Sequence, residues 1–291
     1  MNCSLCPRKC GTDRHISKGY CGVGENFRIA RSAPHFWEEP CLSEGGGSGA
    51  VFFSGCNLGC VYCQNEKISR GCFGRDVTDK ELIKIFDRLV ESGVNNLNLV
   101  TPSHYAGRLS SVLRQFNSPV PVVYNTSSYD TVDSLRRLEG LVDIYLPDIK
   151  YYDSEISLKY SFAVDYFDVA AAAVKEMYRQ VGLLETDDNA IAKKGIIIRH
   201  MVLPGNVSQA LKIIDWLGDN FPPETMLSIM RQYTPCGKAL DMPPINRTVS
   251  DREYAIVKKA VLKAGFLNCF FQQKTAAGGD FIPDFDLTGI I

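Results

Sequence analysis

Net charge is nearly absent from this chain. Its 32 Lys and Arg against 33 Asp and Glu leave a formal −1, which excludes the electrostatic footprint of a nucleic-acid or anionic-membrane binder. No apolar stretch reaches the length of a bilayer span. The N-terminus, Met1-Asn2-Cys3-Ser4-Leu5-Cys6-Pro7-Arg8-Lys9-Cys10, lacks the apolar run of a secretory signal. The glycine run Gly45-Gly46-Gly47-Ser48-Gly49 is followed by no G-K-[ST], so it is not a phosphate loop. It reads as a flexible turn or domain junction, with close approach of backbone to a cofactor as the functional alternative.

What is present is cysteine, 11 residues in a chain of 291. With no export signal, this usage argues for a reducing cytoplasm and metal ligation rather than disulfides. An apolar content of 45% can bury a substantial core, and the length suits one large α/β domain with a small appendage.

The densest cysteines are Cys56, Cys60 and Cys63, spaced C-x3-C-x2-C after the apolar run Ala50-Val51-Phe52-Phe53. Such a run ending in Ser54-Gly55 reads as a buried strand entering a loop. Three thiolates at this spacing can hold three corners of a [4Fe–4S] cube, whose usual ligand set is four cysteines. One iron is left for another ligand. A zinc knuckle would need a fourth ligand and a different spacing, and buried cysteines rarely crowd three into one loop.

The triplet, with the aromatic Tyr62 just before its last cysteine, resembles the signature of the radical S-adenosylmethionine (SAM) superfamily. The longer string Cys56-Asn57-Leu58-Gly59-Cys60-Val61-Tyr62-Cys63-Gln64-Asn65 is similar to the pyruvate formate-lyase activating-enzyme branch. The resemblance implies that SAM chelates the open iron through its amino and carboxylate groups. It implies further that the reduced cluster cleaves SAM to a 5′-deoxyadenosyl radical that abstracts hydrogen from a substrate. An external reductant such as flavodoxin or ferredoxin follows from that chemistry.

Residues 1–48 form a Cys-rich N-terminal segment. Cys3, Cys6, Cys10 and Cys21 read C-x2-C-x3-C-x10-C, in a stretch with too little apolar periodicity to build its own core. Four thiols suit a second iron–sulfur cluster or a structural zinc equally well. His35-Phe36-Trp37-Glu38-Glu39-Pro40-Cys41 follows without a recognisable pattern.

Over residues 49–270 short apolar runs alternate with helical periods, the mark of repeated βα units around a parallel sheet. Strands are expected at 50–53, 97–100, 122–124, 142–146, 196–198 and 226–230, and helices at 106–116 and 166–181. Thr78-Asp79-Lys80-Glu81 and Ser250-Asp251-Arg252-Glu253 are capping boxes. The polar stretch 184–194 reads as a solvated loop. Six βα units match the partial (β/α)6 barrel that the resemblance implies, so the fold class is α/β with an N-terminal metal-binding appendage. Residues 271–291 read as a C-terminal tail, either covering the barrel mouth or packed against the body.

In parallel βα folds reactive groups gather at the C-terminal strand ends. Those ends carry Thr101, Ser103 and His104, then Asn125, then Asp148 and Lys150, then Arg199 and His200, then Arg231. Asp148-Ile149-Lys150 resembles the D-x-K segment of the activating enzymes, and Arg199 to Gly205 their R-x-x-V-x-P-G segment. Asp148 and Lys150, on the resemblance, and His200, on its strand-end position, are the catalytic candidates. The candidate SAM-binding set is Tyr62, Asn65, Asp148, Lys150 and Arg199, on the resemblance, with Thr101, Ser103 and Asn125, on strand-end position. In place of the family's Gly-Gly-Glu motif stands Leu99-Val100-Thr101-Pro102-Ser103-His104, with no acid. The SAM amine must then find another acceptor, such as the Thr101 or Ser103 hydroxyl.

Three functions meet these features. One is radical modification of a small molecule or of a protein residue other than a glycine, expected to need a more closed pocket. Another is activation of a partner enzyme at a backbone glycine, expected to need an open groove. The third is a non-catalytic iron–sulfur electron carrier.

Overall fold

The computed structural model describes residues 3–274 and 282–290. The chain first forms β1 (Phe27–His35), a short helix α1 (Pro40–Ser43) and β2 (Ser48–Phe53). After the cysteine loop come α2 (Glu66–Ser69), β3 (Arg75–Val77) and α3 (Asp79–Glu91). The repeats continue with β4 (Asn96–Val100), α4 (Ala106–Phe116), β5 (Val122–Thr126), α5 (Val132–Arg136), β6 (Ile144–Pro147), α6 (Ser154–Ser161) and α7 (Tyr166–Val181). The last part holds β7 (Glu185–Thr186), β8 (Ala192–Met201), α8 (Val207–Asn220), β9 (Met226–Met230), α9 (Asp251–Lys263) and β10 (Cys269–Phe271).

The sheet runs in the order β10-β9-β8-β6-β5-β4-β2-β1-β3, with β7 paired to β8. From β2 to β10 all neighbours are parallel. β10 and β3 remain as edges, so the sheet is a partial barrel and not a closed one. The period-2 alternation of each strand divides its residues between two faces. Val51, Leu97, Leu99, Tyr124 and Ile198 face the helices in the main core. Val123, Ile144, Leu146 and Ile197 face inward, where Cys41 and Leu42 of α1 close over them.

Helix boundaries follow local signals. Both capping boxes form, with Thr78 accepting from the Glu81 amide and Ser250 from the Glu253 amide, and each glutamate returning the bond. α7 ends at Gly182, whose φ of +72° is cheap only for glycine.

Three features differ from the expectations. The stretch 184–194 is not wholly loop: Glu185–Thr186 pairs antiparallel with the start of β8. A seventh parallel strand, β10, follows the six βα units; its three residues are too few to show a period. Within residues 1–48, Phe27–His35 belongs to the main sheet, antiparallel to β2. Of the tail, residues 282–290 pack on the body, with Ser32 N donating to Thr288 O at 2.9 Å and Phe285 buried against Phe52. The part of the tail at 275–281 lies outside the described residues.

Candidate active site

The loop after β2 is held from several directions. The Cys56 amide donates to the Cys21 carbonyl at 3.2 Å, and the Gly55 amide to Ile68 O at 2.9 Å. The Asn57 side chain donates to Tyr129 O at 2.6 Å. Arg8 donates through Nε to Asn57 O at 2.7 Å and through Nη2 to Leu58 O at 3.3 Å. Gly59 has φ +75°, and the Arg70 guanidinium lies where a side chain would start, 1.8 Å from an ideal Cβ. Arg70 in turn donates to Leu58 O at 3.2 Å. Only glycine fits between Cys56 and Cys60 at that point.

Each thiol of the triplet has a donor. Cys56 Sγ accepts from the Leu58 amide at 3.4 Å, Cys60 Sγ from the Ser161 hydroxyl at 2.9 Å, and Cys63 Sγ from the Ser69 hydroxyl at 3.2 Å. Burial, with the Cys60 charge second, pushes Cys63 up to about 12 and raises Cys56. Without a metal these two thiols hold their protons.

The triplet lines a cavity of about 420 Å³, within the size range of small-molecule and cofactor sites. Tyr62, Asn65, Thr101, Asn125, Asp148, Lys150 and Arg199 line the same cavity. Thr101 takes φ +60°, an uncommon conformation for a β-branched residue. Tyr62 is buried and hydrogen-bonded to Tyr151 OH at 2.6 Å.

Four strand-end residues stand elsewhere. His200 is turned to the opposite face of β8 from Arg199 and Met201, because successive strand residues alternate. Its Nδ1–H donates to Ile149 O at 2.7 Å, and burial lowers it to about 4. The structure therefore does not bring His200 to the cavity, against the expectation for a catalytic residue. Ser103 is buried outside the cavity lining, with its hydroxyl 3.1 Å from Thr126 Oγ1, and so is not placed to meet the SAM amine. His104 is likewise behind the wall, donating from Nε2–H to Ser54 O at 2.9 Å. Arg231 pairs with Asp251 away from the cavity. Of the Arg199–Gly205 segment, only Arg199 and Met201 line the cavity; the Gly205 amide instead donates to Glu253 Oε1 at 2.6 Å.

The cavity also contains residues that sequence reasoning missed, above all Glu38 and Glu39. Arg199, its side chain 11% exposed, is the hub of a largely buried charge cluster. It donates from Nε to Asp148 Oδ1 at 2.7 Å, from Nη2 to Asn125 Oδ1 at 2.7 Å and from Nη1 to Glu38 Oε2 at 3.1 Å. Lys150 Nζ donates to Asp148 Oδ2 at 2.7 Å. Burial works against the Asp148 anion, but Arg199 and Lys150 outweigh it and hold the carboxyl below the usual range. The one sequence signal for the two glutamates was an adjacent acidic pair in an otherwise aromatic stretch.

The four N-terminal thiols gather beside this site. A Cβ on Gly19 would meet the sulfurs of Cys21 and Cys10 at 3.4 and 3.5 Å. Cys3 hydrogen-bonds Cys10 through their side chains, and the Arg8 and Thr12 amides serve the Cys6 and Cys10 sulfurs. These amides lie two residues on from their sulfurs, as the Leu58 amide does from Cys56. Burial would raise Cys10, but the Tyr20 and Thr12 amides hold it down at about 7. Among the described residues, no three Cys, His, Asp or Glu side chains are already drawn together to hold an ion, at this tetrad or at the triplet.

The chain is similar to several known proteins. An uncharacterized protein of Methanocaldococcus jannaschii is 29% identical over 270 residues, covering 89% of this chain and 73% of the relative. The fold is similar to SuiB of Streptococcus suis, solved bound to precursor peptide SuiA, with TM-score 0.53 and 12% identity over 76% of this chain. This chain spans about half of SuiB, 47% of its length. HydG of Carboxydothermus hydrogenoformans, a FeFe-hydrogenase maturase, overlaps with TM-score 0.49 and 15% identity over 80% of this chain and 59% of that one. No helix among the described residues is long and apolar enough to cross a membrane. The family model of the radical SAM superfamily matches residues 50–217, from β2 and its cysteine loop into α8, and the chain belongs to that superfamily.

Proposed function

We propose that this chain is a radical SAM enzyme acting on a small molecule held inside the partial barrel, with Cys56, Cys60 and Cys63 as the ligands of its [4Fe–4S] cluster. The cluster and SAM supply, when bound, a 5′-deoxyadenosyl radical that removes hydrogen from the substrate. The residues fit that group: three thiols on one loop, each served by a hydrogen-bond donor, line the cavity with the polar strand ends. Binding the metal displaces the protons that burial holds on Cys56 and Cys63. Asn125, Asp148, Lys150 and Arg199 orient the ligands and supply fixed charge from largely buried side chains.

The observation that carries the small-molecule reading is the floor. The segment Pro40–Ser43 closes the inner face over Val123, Ile144, Leu146 and Ile197. A polypeptide loop threaded through the barrel would meet that floor. The similarity of residues 56–65 to the pyruvate formate-lyase activating enzymes supports a second reading, activation of a partner enzyme at a glycine. The test is anaerobic. Protein reconstituted with iron and sulfide, reduced and given SAM, should form 5′-deoxyadenosine, and Cys60→Ala should form none. A wild-type protein that holds a reduced cluster yet never binds SAM would refute the reading and favour an electron carrier.

The N-terminal tetrad belongs to the same proposal as a second metal site. The support is the convergence of Cys10 and Cys21 on Gly19, together with amide donors like the one at Cys56. Elemental analysis of anaerobically purified protein should find metal that Cys10→Ser and Cys21→Ser lose while the spectrum of the triplet's cluster stays. Zinc there means a structural staple, and iron with sulfide a second cluster. Retention of all metal by both variants would dismiss the site.

A further inference from the structure

The floor of the cavity holds a buried carboxyl with one unpartnered oxygen, and its meaning deepens the reading above, on which it rests. β1 leaves the sheet at His35, which is paired with Ser48 at the start of β2. The chain then passes beneath the parallel strands, tied by Asn96 Nδ2 to Leu42 O at 2.8 Å and by Asn95 Nδ2 to Glu44 O at 2.7 Å. This crossing places Glu38 and Glu39 among the cavity residues.

Glu38 is fully engaged. Its Oε1 accepts from Asn98 Nδ2 at 2.9 Å and Asn125 Nδ2 at 3.3 Å, and its Oε2 accepts from Arg199. Glu39 is not. The residue is 8% exposed, it is hydrogen-bonded by Ser228, and its Oε2 has no hydrogen-bond partner. The nearest cation, Arg199 Nη1, stands 3.9 Å from that oxygen, beyond hydrogen-bonding reach. Arg199 already serves Asp148, Asn125 and Glu38. Three carboxylates, Glu38, Glu39 and Asp148, therefore face two cations, Lys150 and Arg199.

A buried carboxyl oxygen without a partner is costly, and one that lines a cavity is placed for a ligand to complete it. Burial raises the Glu39 carboxyl while Arg199 pulls it the other way, so a cation docked at Oε2 would hold Glu39 ionised and give this oxygen the hydrogen-bond donor it lacks. We propose that Glu39 is the docking point of a protonated primary amine, so that the molecule in the lumen presents an ammonium group to Glu39 Oε2. The ammonium could belong to the substrate or to SAM, whose amine lacks an acidic partner after β4 in this sequence.

The experiment uses the full chain with its cluster reconstituted anaerobically. Butylamine and its neutral isostere butanol are compared as probes by the shift in thermal unfolding midpoint, in the wild type, Glu39→Gln and Glu39→Asp. The same three proteins are tested for SAM binding by equilibrium dialysis. The wild type should bind butylamine about tenfold more tightly than butanol, the scale of a desolvated charge pair. Glu39→Gln should lose that preference and Glu39→Asp should keep part of it. Unchanged SAM affinity in Glu39→Gln assigns the ammonium to the substrate. A SAM affinity about tenfold weaker, with butylamine competing against SAM, assigns it to SAM. Without probe, Glu39→Gln should unfold at the wild-type temperature or above, because it removes a buried charge. A merely structural partner of Arg199 would lower it instead. Equal binding of butylamine and butanol by the wild type overturns the proposal whether or not a variant folds. The comparison makes no use of 5′-deoxyadenosine, so failure of SAM cleavage and failure of this assignment are read separately.

Discussion

The hydroxyl of Ser161 donates to Cys60 Sγ at 2.9 Å across 101 residues of chain. Because that proton is committed to sulfur, Tyr151 OH must donate to Ser161 Oγ at 2.7 Å, and Tyr62 OH to Tyr151 OH at 2.6 Å. Donors are thus aligned from Tyr62 to the cysteine. Hydrogen bonds to cluster sulfurs favour the more negative, reduced state. Ser161→Ala should therefore make the cluster harder to reduce. One net hydrogen bond of about 1 kcal/mol corresponds to a fall of roughly 40 mV in a one-electron potential. Ser69→Ala, at the longer 3.2 Å contact to Cys63, should show a smaller fall. A redox titration followed by electron paramagnetic resonance measures both; unmoved potentials would mean the two hydroxyls leave sulfur when the cluster forms.

Gly59 is the loop's steric pivot. In Gly59→Ala the methyl would coincide with the Arg70 guanidinium at a backbone φ of +75°. Arg70 must leave the Leu58 carbonyl, and the backbone takes on strain of about 1–3 kcal/mol. Iron content after reconstitution should fall well below the wild-type value. The double variant Gly59→Ala/Arg70→Ala removes the clash and should recover part of the loss.

Arg199 holds Asp148 and Glu38 in ion pairs at 2.7 and 3.1 Å inside the barrel. Arg199→Ala strands both carboxylates with Lys150 as the remaining cation of the cluster. Removing one partner of a buried pair costs about 3–5 kcal/mol, and urea denaturation should show a loss of that order. Arg199→Lys keeps charge but not the fork that reaches Asp148, Asn125 and Glu38 together. It should recover only part.

His104 and His200 give the fold an acid limit. Burial lowers them to about 3 and about 4, from an ordinary 6.5. As pH falls below 6.5 the unfolded chain takes up protons that the folded chain refuses. Their contribution is complete above pH 6.5 and is lost as pH falls toward 4. Each histidine contributes a slope of about 1.4 kcal/mol per pH unit in that window. Urea denaturation of the cluster-free protein at pH 7.5, 6.0 and 5.0 should show the trend, and His104→Gln should remove one histidine's share of the slope.

The sequence by itself determined what rests on neighbours in the chain. The spacing of Cys56, Cys60 and Cys63 is a property of one loop, and the radical SAM assignment was legible there. Helical period sufficed for Ala106–Phe116 and Tyr166–Val181, with Gly182 as the stop of the second, and an apolar run for Met226–Met230. Strand-end position brought Asp148, Lys150 and Arg199 forward as cavity candidates. It failed for His200, because position along a strand does not tell which face a residue takes; Arg199 next to it takes the inward one.

Only the tertiary structure decided the rest. Glu38 reaches Arg199 across 161 residues because the crossing after β1 runs beneath strands whose order local periodicity does not encode. Ser161 reaches Cys60 because α6 ends against the cysteine loop, where the Val61 amide meets the Tyr160 carbonyl at 2.9 Å. Such contacts are made by packing, which brings distant segments together to bury apolar surface and leaves their polar groups to find partners on arrival. The unpartnered oxygen of Glu39 is therefore visible only in the folded chain.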